Sequence, residues 1–68
     1  MPFANLKVPA DTLTDDQKRG LVEAVTDVFV GVYGERARPN VMVLVDEVVD
    51  GGWGMGGQVL TKALLDES

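Results

Sequence analysis

Val41-Met42-Val43-Leu44-Val45, closed by Asp46-Glu47, is the stretch on which the fold of this chain turns. It is rich in β-branched residues and apolar at both odd and even positions, the pattern of a strand covered on both faces. Upstream, Pro2-Phe3-Ala4-Asn5-Leu6-Lys7-Val8 alternates, with Ala4, Leu6 and Val8 on one side and Asn5 and Lys7 on the other. That period of two marks a half-buried strand, which Pro9 ends because proline cannot donate to a ladder. Pro2 stands at the strand start, where proline is tolerated.

Between the strands, Thr14 is the expected N-cap of a helix, with Gln17 completing a capping box and Leu13 as staple. Asp15 and Asp16 fall in the first turn, where carboxylates favour the positive helix end. Leu21, Ala24, Val25, Val28, Phe29 and Val32 recur at three- and four-residue spacing and are the expected inward face, with Gly34 as the stop. Glu35–Asn40 reads as a polar connection. Strand–helix–strand order with a long crossover implies a parallel pair with a right-handed connection. One helix covers one face of a sheet, so the other face of Val41–Val45 requires a second subunit.

Downstream, Asp50-Gly51-Gly52-Trp53-Gly54-Met55-Gly56-Gly57 is a glycine-dense segment carrying the only tryptophan. It lacks the GxGxxG spacing and any following Gly-Lys-Ser/Thr, and Asp50 at its mouth repels anions, so it is read as a tight hairpin or turn with positive φ at several glycines. Val59–Leu65 is expected to form a short helix and Asp66-Glu67-Ser68 to fray.

Composition narrows the function. Sixty-eight residues make one domain, 1–68, with a core over about 2–62. A chain this short buries only about 60% of its unfolded surface. No cysteine and no histidine are present, which removes disulfides and the usual zinc ligands and leaves oligomerisation as the reinforcement. Six Lys and Arg against eleven Asp and Glu disfavour nucleic acid and anionic membranes. No apolar run approaches the roughly 20 residues of a membrane span, and the amino terminus lacks signal-peptide features, so a cytoplasmic location is the expectation.

Four groups of residues can carry chemistry. Removal of Met1 ahead of a proline exposes a secondary amine at Pro2; in an apolar pocket its ammonium form is disfavoured, which makes it a general base near neutrality. Trp53 is a core or interface anchor, or the wall of a site. Arg36 and Arg38 flank the second strand and suit bidentate binding of a carboxylate if they border a pocket, and are otherwise ordinary surface charges. Asp46, Glu47 and Asp50 form either a solvated strand end or an acid/base or cation cluster.

Met1-Pro2 followed by a strand, Leu13-Thr14-Asp15-Asp16-Gln17-Lys18 at the helix start, Val41–Val45 with Asp46-Glu47, and the Trp53-Gly54-Met55-Gly56-Gly57 turn together resemble the 4-oxalocrotonate tautomerase family over roughly residues 2–62. The resemblance implies an α+β fold: β-α-β subunits, two of which form a four-stranded sheet, commonly assembled as a hexameric trimer of dimers. It also implies proton shuttling by an amino-terminal proline between the enol and keto forms of a small 2-oxo acid, without cofactor or metal. Pro2 matches the catalytic proline, and Trp53 stands where the family usually has a phenylalanine wall. The family's two substrate-binding arginines fall at Leu13 and Met42, neither of which binds an anion, leaving Arg36, Arg38 or Lys7 of a neighbouring subunit as candidates for that role. Three expectations follow: a homo-oligomeric tautomerase; a catalytically silent or hetero-oligomeric subunit or ligand-binding module of the same fold; and a superfamily hydratase or dehalogenase with Asp46 or Glu47 activating water.

Overall fold

The computed structural model describes residues 1–66. Strand β1 (Phe3–Pro9) leads into helix α1 (Asp15–Tyr33), a 3₁₀ turn (Glu35–Asn40) and strand β2 (Met42–Val48). A short hairpin of β3 (Trp53–Met55) and β4 (Gln58–Leu60) follows, then helix α2 (Lys62–Asp66). Strands β1 and β2 pair in parallel, Phe3 opposite Met42 through Pro9 opposite Val48, as the β-α-β order requires. The ladder continues past both ends: the Met42 amide donates to the Pro2 carbonyl at 2.9 Å and the Ala10 amide to the Val48 carbonyl at 2.8 Å.

Helix α1 starts as its capping residues dictate. The Gln17 amide donates to Thr14 Oγ1 at 3.1 Å, and the Thr14 amide to Gln17 Oε1 at 2.9 Å. It ends at Gly34, whose φ of 96° lies in the region glycine adopts without strain. The inward face is rotated from the expected one. Leu21, Val22, Val25, Thr26, Phe29 and Val30 are half-buried, whereas Ala24, Val28 and Val32 are exposed. Apolar residues occupy more than half the helix circumference, and the narrow two-stranded sheet covers only the sector centred on Val22, Val25, Thr26 and Phe29. Thr26 fits there because its hydroxyl donates to the Val22 carbonyl at 2.8 Å.

The second strand begins one residue later and runs three further than its apolar core, so Asp46 and Glu47 lie within it. Ala4, Leu6, Val8, Val43 and Val45 are half-buried, on the sheet face that α1 covers. On the opposite face Phe3 is 53% exposed, Met42 52% and Leu44 46%. The glycine-dense segment is a β-hairpin, turned by Gly56 and Gly57 at φ 61° and 82°. Val59 and Leu60 belong to this hairpin, and the short helix starts only at Lys62. Its start is fixed by the Lys62 amide, which donates to the Asp50 carboxylate at 2.7 Å. Fraying was expected over residues 66–68; Asp66 instead closes α2, and residues 67–68 lie outside the described residues.

The hairpin forms its own two-stranded sheet, separate from β1–β2. The chain accordingly has a radius of gyration of 14.8 Å, against about 11 Å for a compact domain of this length. It exposes 5027 Å², where a compact monomer of this mass exposes about 4200 Å². No hydrophobic residue among those described is fully buried.

Candidate active site

Parallel pairing places the start of β1 beside the entry to β2, and the end of α1 arrives at the same edge. Pro2, Tyr33, Arg36, Ala37 and Asn40 meet there with Met1 around an open cavity of about 440 Å³. Tyr33 is the last residue of α1, its ring 6.5 Å from that of Phe29. The other three lining residues come from the 3₁₀ turn.

That turn divides its two arginines between different tasks. Residues three apart eclipse in a 3₁₀ helix, and Arg38 Nε accordingly lies 2.7 Å from Glu35 Oε1, with Nη2 3.3 Å from Oε2. Arg38 Nη1 reaches back to Asp27 Oδ1 on α1 at 2.8 Å. The hydrogen bond from Arg38, and then its charge, hold the Glu35 carboxyl below its ordinary range, while Glu35 and Asp27 raise the guanidinium of Arg38 further. Arg38 stands outside the cavity lining and ties the turn to the helix. Arg36 has no ion-pair partner among the described residues and lines the cavity with Pro2.

The acidic residues that follow Val45 do not gather into a site. Asp46 lies on the open sheet face, 2.6 Å from Lys7 Nζ. Glu47 lies on the helix side, 3.2 Å from Lys18 Nζ, whose pKa is raised first by that hydrogen bond and then by the charge of Glu47. Asp50 caps α2. The three therefore form no acid/base pair, and no cluster of metal-ligating side chains occurs among the described residues. Asp46 also sits four residues along β2 from Met42, about 13 Å from the Pro2 end of the sheet, so within one subunit neither it nor Glu47 reaches the cavity.

Trp53 opens β3 and is half-buried, its Nε1 enclosed without a hydrogen-bond partner among the described residues. It does not line the Pro2 cavity of its own subunit. Leu13 precedes α1 at the opposite end of the helix from Tyr33, and Met42 faces the open side of the sheet beside Phe3. Tyr33, Ala37 and Asn40 were not singled out from the sequence. The signal was present: Asn40 stands two residues before the second strand, which parallel pairing must bring alongside Pro2.

The family model described as tautomerase enzyme matches residues 2–63. A probable tautomerase K2 of Dickeya dadantii is 37% identical over 62 residues, covering 91% of each chain. Among solved structures, one of the 4-oxalocrotonate tautomerase isozymes of Methylibium petroleiphilum superposes with a TM-score of 0.74 at 31% identity, over 94% of this chain and 97% of that one. DmpI from Helicobacter pylori gives 0.73 at 37% identity, over 85% of this chain and 94% of its own. With its β-α-β fold, and with identity of this level along nearly its whole length, the chain belongs to the tautomerase family.

Proposed function

We propose that the protein is an isomerase that interconverts the enol and keto forms of a small 2-oxo acid, with the amino group of Pro2 as general base and then general acid. The observation that carries this reading is that Pro2 and the unpaired guanidinium of Arg36 line one cavity. While Met1 is attached, the Pro2 nitrogen is an amide and has no basicity. Once Met1 is removed it is a secondary amine, whose ordinary α-amino pKa of about 7.7–8.0 falls when apolar surroundings disfavour the charged form. The amine takes the enol hydroxyl proton, leaving an enolate, and the resulting ammonium delivers that proton to C3. Arg36 holds the C1 carboxylate through its forked donors. Arg36 is the one cationic side chain in the cavity lining among the described residues, which suits one carboxylate and makes a monoacid the substrate class.

In this reading the dry wall beside Pro2 is the indole of Trp53 from a neighbouring subunit. The separate hairpin and the excess exposed surface support self-association, with a trimer of dimers as the assembly. The test is tautomerisation of phenylenolpyruvate by the wild type and by Pro2→Ala: the variant loses most activity, and equal rates remove Pro2 from the mechanism.

A second reading, a silent subunit or binding module, is favoured by Leu13 and Met42 at the family's arginine positions. Mass spectrometry of the native protein separates the two, because retained Met1 leaves no amine.

A further inference from the structure

We infer that the side-chain amide of Asn40 is the group that polarises the substrate's C2 oxygen, a role that rests on the reading of Pro2 as the base. Transfer of a proton between the C2 oxygen and C3 passes through an enolate whose negative charge resides largely on that oxygen. A site that accelerates the transfer needs a donor already aimed there. Arg36 is assigned to the C1 carboxylate, and C1 is bonded to C2, so the donor must lie in the same cavity as both Arg36 and Pro2. Only Tyr33 and Asn40 among the lining residues offer further side-chain donors.

Asn40 is the better placed of the two. It is two residues before Met42, whose amide is bonded to the Pro2 carbonyl at 2.9 Å, so its backbone is fixed relative to the amine. The following residue is held as well, the Val41 amide donating to the Arg38 carbonyl at 3.3 Å. The Asn40 side chain is exposed at the cavity and is bonded to no described residue, so both amide N–H groups are free for a ligand. Tyr33 lines the cavity from the last residue of α1, and its ring lies 6.5 Å from that of Phe29, centroid to centroid. The proton count is unchanged: one proton leaves the C2 hydroxyl, resides on Pro2 and arrives at C3, while Asn40 donates a hydrogen bond throughout and transfers nothing.

The experiment pairs kinetics with binding in the Met1-free protein. Asn40→Leu lowers kcat for phenylenolpyruvate about 100-fold, the size seen for loss of one oxyanion donor, with KM changed much less. Asn40→Asp, which keeps the shape but places an acceptor there, is worse still. Binding of two unreactive acids reads the contact without the reaction. Asn40→Leu weakens 3-phenyllactate, which carries a C2 oxygen, about tenfold, and leaves 3-phenylpropionate, which lacks it, unchanged. Equal loss for both acids, or an unchanged kcat in Asn40→Leu, overturns the inference, as does a Tyr33→Phe variant that alone reproduces the kcat and binding losses. Pro2→Ala run alongside keeps the two readings apart: if it retains full rate the base assignment fails, while the pair of unreactive acids still decides Asn40.

Discussion

Arg38 Nη1 lies 2.8 Å from Asp27 Oδ1, so the last turn before β2 is fastened to helix α1 by the arginine that does not face the cavity. Arg36, two residues earlier, lines the cavity with Pro2, and its guanidinium has no ion-pair partner among the described residues. Substituting the two arginines separates recognition from positioning. Arg36→Ala removes a charge-assisted contact to the carboxylate and lowers kcat/KM for phenylenolpyruvate by about 10- to 100-fold, whereas Arg36→Lys recovers part of it. Arg38→Ala leaves Arg36 in place but less ordered, and raises KM by about two- to fivefold with kcat little changed, in keeping with the modest strength of exposed ion pairs. Steady-state kinetics on both variants checks this, and a larger effect from Arg38→Ala than from Arg36→Ala would reverse the assignment.

The same clamp has a defined acid limit. The hydrogen bond and charge of Arg38 depress the Glu35 carboxyl below its ordinary value of 4.5. A depressed folded value means the proton binds more weakly in the folded protein. The clamp's contribution is therefore complete above 4.5 and is lost as pH falls through the depressed value. Carbon-detected NMR titration of Glu35 should show a midpoint below 4.5 in the wild type, moving up toward it in Arg38→Ala. A wild-type midpoint at or above the ordinary value would show the pair to be unformed in solution.

The open face of the β1–β2 sheet predicts how the chain stays folded. Phe3, Met42 and Leu44 leave an apolar strip there, about half exposed, and no hydrophobic residue among those described is fully buried. Leu44→Asp places an unpaired charge on the face that a second subunit is expected to cover, and raises the subunit dissociation constant by at least about 100-fold. Sedimentation velocity should show the wild type as an oligomer and the variant as a smaller species. Far-UV circular dichroism should show the dissociated chain losing structure, since what remains of its core is thin.

Much of this was legible in the sequence because short-range chemistry fixed it. Thr14 and Gln17 marked the helix start, Gly34 its end, and the period of two in Phe3–Val8 the first strand. The two-sided apolar character of Val41–Val45 anticipated a sheet face with nothing on it in the single subunit. Pro2 and Arg36 were both named, but nothing local says that they meet; their proximity comes from parallel register and from the handedness of the crossover. The helix face was misjudged at Ala24, Val28 and Val32 because the apolar stripe is wider than the two-stranded sheet it packs against. Asp46 and Glu47 looked like a pair for the same reason that they cannot be one: adjacent residues on a strand point to opposite faces. Asn40 and Tyr33 carried no motif, and only the cavity brings them into view.

Gly52 and Trp53 allow the hairpin's placement to be tested with an intrinsic probe, because Trp53 is the single tryptophan. A Cβ on Gly52 would lie 2.9 Å from Val48 Cγ1 and 3.0 Å from the Val49 carbonyl oxygen. The second contact is with backbone and cannot be relieved by a rotamer change, so Gly52→Ala must displace the base of the hairpin. Gly51→Ala differs in cause: it meets open space but imposes a side chain on a φ of +82°, costing about 1–2 kcal/mol through the backbone alone. Gly52→Ala should cost about 1–3 kcal/mol as overpacking and also shift Trp53. If the hairpin carries the indole to a neighbour's Pro2, the variant's emission moves to the red and its kcat/KM falls together with the stability of the oligomer. Gly51→Ala should keep the wild-type emission maximum while lowering the melting temperature. A Gly52→Ala protein with unchanged emission and activity would show that the position of the indole does not depend on the hairpin base, and would remove Trp53 from the site.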